Sequence, residues 1–131
     1  MSKVYCICSV LPQNGAKYLA TNLAYFAQRK YKKRKKNILL IDFDFKNPTL
    51  CFHFIKDHSK GIDNLVPNVK SLDVEILKNN ITKTSMGIEV LKGTNLINKP
   101  NVFSKELVAK ILNISKEIYD YIFVVSNVST Q

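Results

Sequence analysis

Apolar residues recur along this chain in two rhythms, one suited to buried strands and one to helices. Lys3–Val10 is a nearly continuous apolar run rich in β-formers, which predicts a strand buried on both faces. Pro12, Asn14 and Gly15 punctuate a loop. Ala16, Leu19, Ala20, Leu23, Ala24 and Ala27 then repeat at helical spacing, predicting a helix to about Arg34 whose small alanines permit close approach to a sheet. Ile38–Phe43 is a second strand, and Pro48–Ile55 reads as a short helix or irregular chain. Gly61–Val66 and Ser71–Asn79 read as short helices, with Ser71 as N-cap. Gly87–Lys92 is a third, short strand. A helix follows from about Ser104, its N-cap, to Lys116, with Leu107, Val108, Ile111, Leu112 and Ser115 on its inner face. Tyr119–Ser126 is a fourth strand. This alternation predicts an α/β fold of three layers: a mainly parallel sheet of about four strands, flanked by helices and joined by right-handed crossovers. With no repeat, low-complexity tract or linker, residues 1–131 are expected to form a single domain.

Composition adds limits. The chain is 46% hydrophobic and 23% charged, which is ordinary for a globular domain. No apolar run approaches the roughly 18 residues needed to span a bilayer. The first segment has only about seven apolar residues and no small-residue cleavage site, so it reads as a strand rather than a secretory leader. Cys6, Cys8 and Cys51 are odd in number and lie in apolar runs, which fits reduced, buried thiols in a cytoplasmic protein. Cys6 and Cys8 point the same way on a strand, but no second pair completes a metal site, so core packing is the expectation and no metal is assigned. His53 and His58 read as surface or loop residues.

The formal charge is +10, much of it in the run Arg29–Lys36. One reading is a solvated helix C-terminus, where cations favour the dipole. The other is a weak polyanion patch for nucleic acid or an acidic membrane surface, built from Lys32, Lys33, Arg34, Lys35 and Lys36. A single interleaved aromatic, Tyr31, and no base-reading pattern argue against sequence-specific recognition.

The chemistry concentrates in two stretches. Ile38-Leu39-Leu40-Ile41 runs into Asp42-Phe43-Asp44 and then Pro48-Thr49-Leu50, the arrangement that places a carboxylate at the carboxyl end of a buried parallel strand. Ser9–Ala24 occupies the position of a phosphate-binding loop, after a strand and opening a helix. With Gly61-Ile62-Asp63-Asn64-Leu65-Val66, Gly87-Ile88-Glu89-Val90-Leu91-Lys92-Gly93 and Tyr119-Asp120-Tyr121 following in order, the sequence resembles the MinD/ParA family of P-loop ATPases. That family includes the CpaE- and TadZ-type pilus-localisation proteins and the bacterial tyrosine kinases. Asp42, Asp44, Pro48 and Leu50 match its second-strand signature D-x-D-x-x-x-P-x-L. The resemblance runs over almost the whole chain but covers only the first half of a usual family domain. It therefore implies that the first strand, flanked in the family by strands of the second half, lies at a sheet edge here.

The family's phosphate loop, K-G-G-x-G-K-T-T followed by N-L-A, aligns without a gap through Asn22-Leu23-Ala24. Leu11 falls at the signature lysine, Pro12 and Gln13 at the first two glycines and Asn14 at the variable position; only Gly15 keeps its identity. Ala16 stands at the phosphate lysine, Lys17 at the magnesium-binding threonine and Tyr18 at the next threonine. A phosphate cradle needs convergent backbone N–H groups, and Pro12 removes one. A lysine neutralises β/γ oxygens and a hydroxyl holds magnesium, roles that Ala16 and Lys17 do not fill at those places. The family's fourth strand ends in D-x-P-P, where this chain has Val125, Ser126, Asn127 and Val128.

What the resemblance implies is thus a catalytically degenerate domain, serving as a protein-interaction or localisation module through a partner protein or through self-association by its first strand. The alternative it leaves is an ATP-dependent switch that binds DNA or membrane through the basic run. No cofactor is expected; if nucleotide and magnesium still bind, Asn14, Gly15, Ala16, Lys17, Tyr18, Asp42 and Asp44 are the residues implied.

Overall fold

Ile38, Leu39, Leu40 and Ile41 have no polar alternate, so this strand can only sit where both faces are covered. In the computed structural model they form β2 (Ile38–Asp42), buried along its whole length at the centre of a five-stranded sheet. The structure describes residues 2–9, 16–31, 36–43, 60–84, 87–93 and 104–127. The elements, in chain order, are β1 (Lys3–Ser9), α1 (Ala16–Tyr31), β2, a 3₁₀ helix (Ile62–Ser71), α2 (Val74–Asn79), β3 (Thr82–Lys83), β4 (Glu89–Leu91), α3 (Lys105–Ile118) and β5 (Tyr121–Asn127).

The strand order is β1-β5-β2-β4-β3. β1, β5, β2 and β4 are parallel, and only β3 runs against its neighbour. Two apolar layers cover the sheet. On one face Ala20, Ala24 and Ala27 of α1 pack on Ile38, Leu40, Val90, Phe123 and Val125. On the other, Leu107 and Ile111 of α3, Leu77 of α2 and Ile62 and Leu65 of the 3₁₀ helix pack on Leu39, Ile41, Ile122 and Val124. The three layers expected from sequence are therefore present.

Several expectations hold in detail. Ser104 caps α3, its Oγ accepting from Leu107 N at 3.1 Å. Leu107, Ile111 and Ser115 are buried on the helix's inner side, and Val108 and Leu112 pack half-buried beside them.

Among the described residues the mainly parallel sheet of about four strands is extended by Thr82–Lys83, a two-residue antiparallel edge that no periodicity could announce. Other expectations are corrected. β1 is not buried on both faces. Among the described residues it ends the sheet on one side, with Val4, Tyr5, Cys6 and Cys8 exposed rather than in the core. Within α1, Ala20, Ala24 and Ala27 are buried, while Leu19 and Leu23 are exposed, because the helix meets the sheet through its alanine row. Ser71 ends the 3₁₀ helix instead of capping α2; the cap is Asp73, whose Oδ1 accepts from Ile76 N at 2.9 Å. Val10, Arg34, Cys51, His53, His58 and the segment from Pro48 to Ile55 lie outside the described residues.

Candidate functional site

Four parallel strands end together, so Ser9, Asn127, Asp42 and Leu91 mark one edge of the sheet. α1 starts at Ala16, after the connection from β1, and runs back to reach the start of β2, which sets its N-terminus at this same edge. In open α/β sheets such a crevice outside the carboxyl ends is where ligands bind. The first turn of α1 presents backbone N–H groups without intrahelical partners and carries no acidic side chain. Ala16, Lys17 and Tyr18 are placed as the backbone of that turn, whereas Asn14, Gly15 and Asp44 lie outside the described residues.

Asp42 closes β2 and is only 1% exposed. Its register partner is Val125, fully buried, and Phe43 N–H donates to Val125 O at 2.8 Å. At the position aligned with the family's fourth-strand carboxylate, the structure thus has a buried apolar side chain.

One charged residue of this edge was not foreseen. Lys92 follows β4, is 5% exposed, and stands one residue past the Ile41–Leu91 pair, as Asp42 does on β2. Its carbonyl accepts from Ile62 N at 3.0 Å. Gly61 passes so close that a Cβ there would stand 3.2 Å from Lys92 O, and its φ of +149° belongs to a region reserved for glycine. A lysine breaking the end of an apolar strand was the available signal.

On the opposite face of β1 and β5, Cys6 Sγ lies 3.7 Å from Cys8 Sγ, and Ser126 Oγ is 3.4 Å from Cys8 Sγ and 3.7 Å from Cys6 Sγ. Partial burial pushes the Cys6 thiol up, opposed by its contact with Ser126 and reinforced by Cys8.

The amino edge carries different chemistry. Each residue of Tyr119-Asp120-Tyr121 has a structural partner there: Tyr119 Oη donates to Glu89 Oε1 at 3.1 Å, Asp120 Oδ2 accepts from Asn37 N at 2.9 Å, and Tyr121 stacks on Tyr31 with centroids 4.7 Å apart. Of the basic run, Arg29 and Lys30 lie in the last turn of α1 and Lys36 precedes β2, its Nζ 4.0 Å from Asp120 Oδ1. Lys32, Lys33, Arg34 and Lys35 lie outside the described residues. Arg29, Lys30 and Lys36 therefore sit at the opposite end of the strands from Asp42. Among the described residues no helix is long and apolar enough to cross a membrane.

No family model matches the sequence, and no curated protein matches it. Solved structures match it through their fold. A ParA family ATPase from Chlorobium tepidum TLS superposes with a TM-score of 0.82 at 20% identity, over 100% of this chain and 54% of its own. The kinase domain of the Escherichia coli tyrosine kinase ETK gives 0.77 at 17%, over 98% of this chain and 49% of its own. A plasmid partition protein from Borrelia burgdorferi gives 0.71 at 17%, over 97% and 57%. At such identities the likeness is one of architecture, and the chain spans about half the length of these structures.

Proposed function

From the premise of a MinD/ParA-like fold, we propose that residues 1–131 form one domain of that kind with a degenerate nucleotide site, working as a protein-interaction or localisation module. The observation that carries this reading is the Asp42–Val125 pair: the surviving carboxylate is enclosed and its neighbour across the strands is a buried valine. A magnesium-organising site needs accessible oxygen ligands, and these two residues offer none to solvent. The loss of the loop lysine and threonine at Ala16 and Lys17 supports the same reading. With that chemistry gone, the work left to the domain is contact, through a protein partner or through self-association along β1.

One feature favours the alternative, an ATP-binding switch. The N-terminus of α1 still stands at the carboxyl edge, where backbone N–H groups and the helix dipole favour phosphate. On that reading Asn14, Gly15, Ala16, Lys17 and Tyr18 cradle the anion, and the basic run supplies a DNA or membrane contact. Thermal unfolding with and without Mg-ATP separates the two. A ligand present at about 100 times its Kd adds about 2.7 kcal/mol, so an unmoved melting curve supports the degenerate module and a clear shift supports the switch.

A further inference from the structure

Cys6 and Cys8 alternate with Ile7 along β1, and Ile7 packs into the layer under α1, so both thiols stand on the other face of the sheet. The parallel register sets Ser126 of β5 opposite Cys8, and Ser126 alternates in the same way with Val125 of the α1 layer. The result is a triangle of donor atoms. The two Sγ atoms are 3.7 Å apart, and Ser126 Oγ is 3.4 Å from Cys8 Sγ and 3.7 Å from Cys6 Sγ. Two paired strands set this triangle, whatever else lies on that face. Its third corner is 118 residues from Cys8 in the chain, so local spacing showed only two ligands. Among the described residues no three of His, Cys, Asp and Glu gather as a metal centre; the third donor here is a hydroxyl.

The dimensions are those of a metal complex. A tetrahedral zinc ion with Zn–S bonds of about 2.3 Å holds two sulfurs about 3.8 Å apart, and a sulfur and an oxygen about 3.5–3.7 Å apart. A disulfide fits less well, because residues i and i+2 of a strand have Cα atoms about 6.6 Å apart, near the outer limit for an S–S bond. We propose that Cys6, Cys8 and Ser126 form one face of a tetrahedral zinc site, the cysteines binding as thiolates and the serine as a neutral hydroxyl. Zn²⁺ displaces the two thiol protons to the buffer, and nothing is oxidised or reduced. Two thiolates then balance the two positive charges. Neutrality matters where Ser126 is only 8% exposed, and it selects a divalent ion, since Cu(I) would leave a net negative charge. Thiolate donors select zinc over magnesium or calcium. The donors stand on hydrogen-bonded strands, which hold them in place before the ion arrives. Water in the fourth position completes the coordination. The site goes beyond the contact-module reading and uses none of the residues assigned to nucleotide.

The test is Zn²⁺ binding by the full chain, measured by competition with a chromophoric chelator, with Co²⁺ as a spectroscopic reporter of ligands and geometry. One equivalent of Zn²⁺ should bind with a Kd of about 1 µM or tighter. Co²⁺ should give a thiolate-to-cobalt charge-transfer band and the strong visible absorption of tetrahedral coordination. Cys6→Ser and Cys8→Ser should each weaken binding at least roughly hundredfold, beyond the usual cost of an outer-shell change. Ser126→Ala should weaken it roughly tenfold, and Ser126→Cys, which supplies a third thiolate, should tighten it. Cys51→Ser should leave it unchanged. In the unaltered chain, where no variant has to fold, Zn²⁺ should protect Cys6 and Cys8 from iodoacetamide while Cys51 labels alike with and without the ion. Binding that needs more than about 100 µM Zn²⁺, the weak absorption of octahedral cobalt, indifference to either cysteine or to Ser126→Ala, or unchanged labelling of Cys6 and Cys8 would each overturn the proposal. None of these results bears on the Mg-ATP melting shift, so the two readings fail separately.

Discussion

Tyr119 Oη donates a 3.1 Å hydrogen bond to Glu89 Oε1, joining the entrance of β5 to the first residue of β4 past the intervening β2. Burial, and then the Glu89 carboxylate, push the Tyr119 phenol well above its ordinary range. The folded state thus holds this proton where an unfolded tyrosine, near pH 10, gives it up. The stability it contributes is full below about pH 10 and is lost as pH rises beyond it. Tyr119→Phe should therefore lower stability at neutral pH by about 0.5–1.5 kcal/mol and flatten the alkaline decline of the melting temperature. Melts at a series of pH values to about 11 check both, and an unchanged alkaline slope would contradict the assignment.

Gly61→Ala should destabilise by about 1–3 kcal/mol, since the new Cβ meets the Lys92 carbonyl at 3.2 Å on a backbone only glycine adopts readily. Urea titration measures it. A neutral result would mean that the turn before the 3₁₀ helix relaxes without cost.

The two serine and aspartate positions before α2 should separate cleanly. Asp73→Ala removes the acceptor for Ile76 N–H and should cost about 0.5–2 kcal/mol, with Asn largely restoring it. Ser71→Ala leaves that cap in place and should cost less than Asp73→Ala. The reverse order in denaturant midpoints would return the cap to Ser71.

Purified protein should show no ATP hydrolysis above background. The residues motivating this are Ala16, Lys17 and the buried Val125. Magnesium-dependent turnover that disappears in Asp42→Asn, a change that keeps the side chain's shape, would defeat the degenerate-site reading.

Duplex DNA binding, where present at low salt, should fall steeply with ionic strength, and changing Lys32, Lys33, Lys35 and Lys36 to Glu should abolish it. Lys36 enters this set already close to Asp120, so its single replacement should matter least. Retention by the fourfold variant would place the contact elsewhere on the surface.

Where the sequence was informative, the signal was local. Ser104 and the apolar row from Leu107 to Ser115 lie within one helix, so spacing and capping are enough to define α3 and its buried side. The unbroken apolar run before Asp42 likewise identifies a strand that needs cover on both faces. The alternation of strands and helices was sufficient for the parallel three-layer architecture. At the candidate site the order of motifs and the substitutions at Ala16, Lys17 and Val125 were legible, but the enclosure of Asp42 and the burial of Lys92 at the same edge were not.

Those depended on partners remote in the chain. β1 and β2 are similar as apolar runs, yet among the described residues β2 is central and β1 lies at the edge; the order of motifs implied that edge and the apolar pattern alone did not, because burial of a strand is decided by its neighbours in the sheet. Leu23 and Ala24 share the apolar arc of α1, and only the helix's roll over β5 and β2 buries the alanine and leaves the leucine exposed. Asp73 took the cap from Ser71 because the 3₁₀ helix, anchored by Leu65 in the core, extends through Ser71 before α2 begins. By itself the sequence determined the elements, their order and the missing site chemistry, since these follow from backbone periodicity and side-chain identity. Which apolar surfaces are core and which stay open was decided by the tertiary structure, since hydrophobic burial is a property of pairs of surfaces and has no local code.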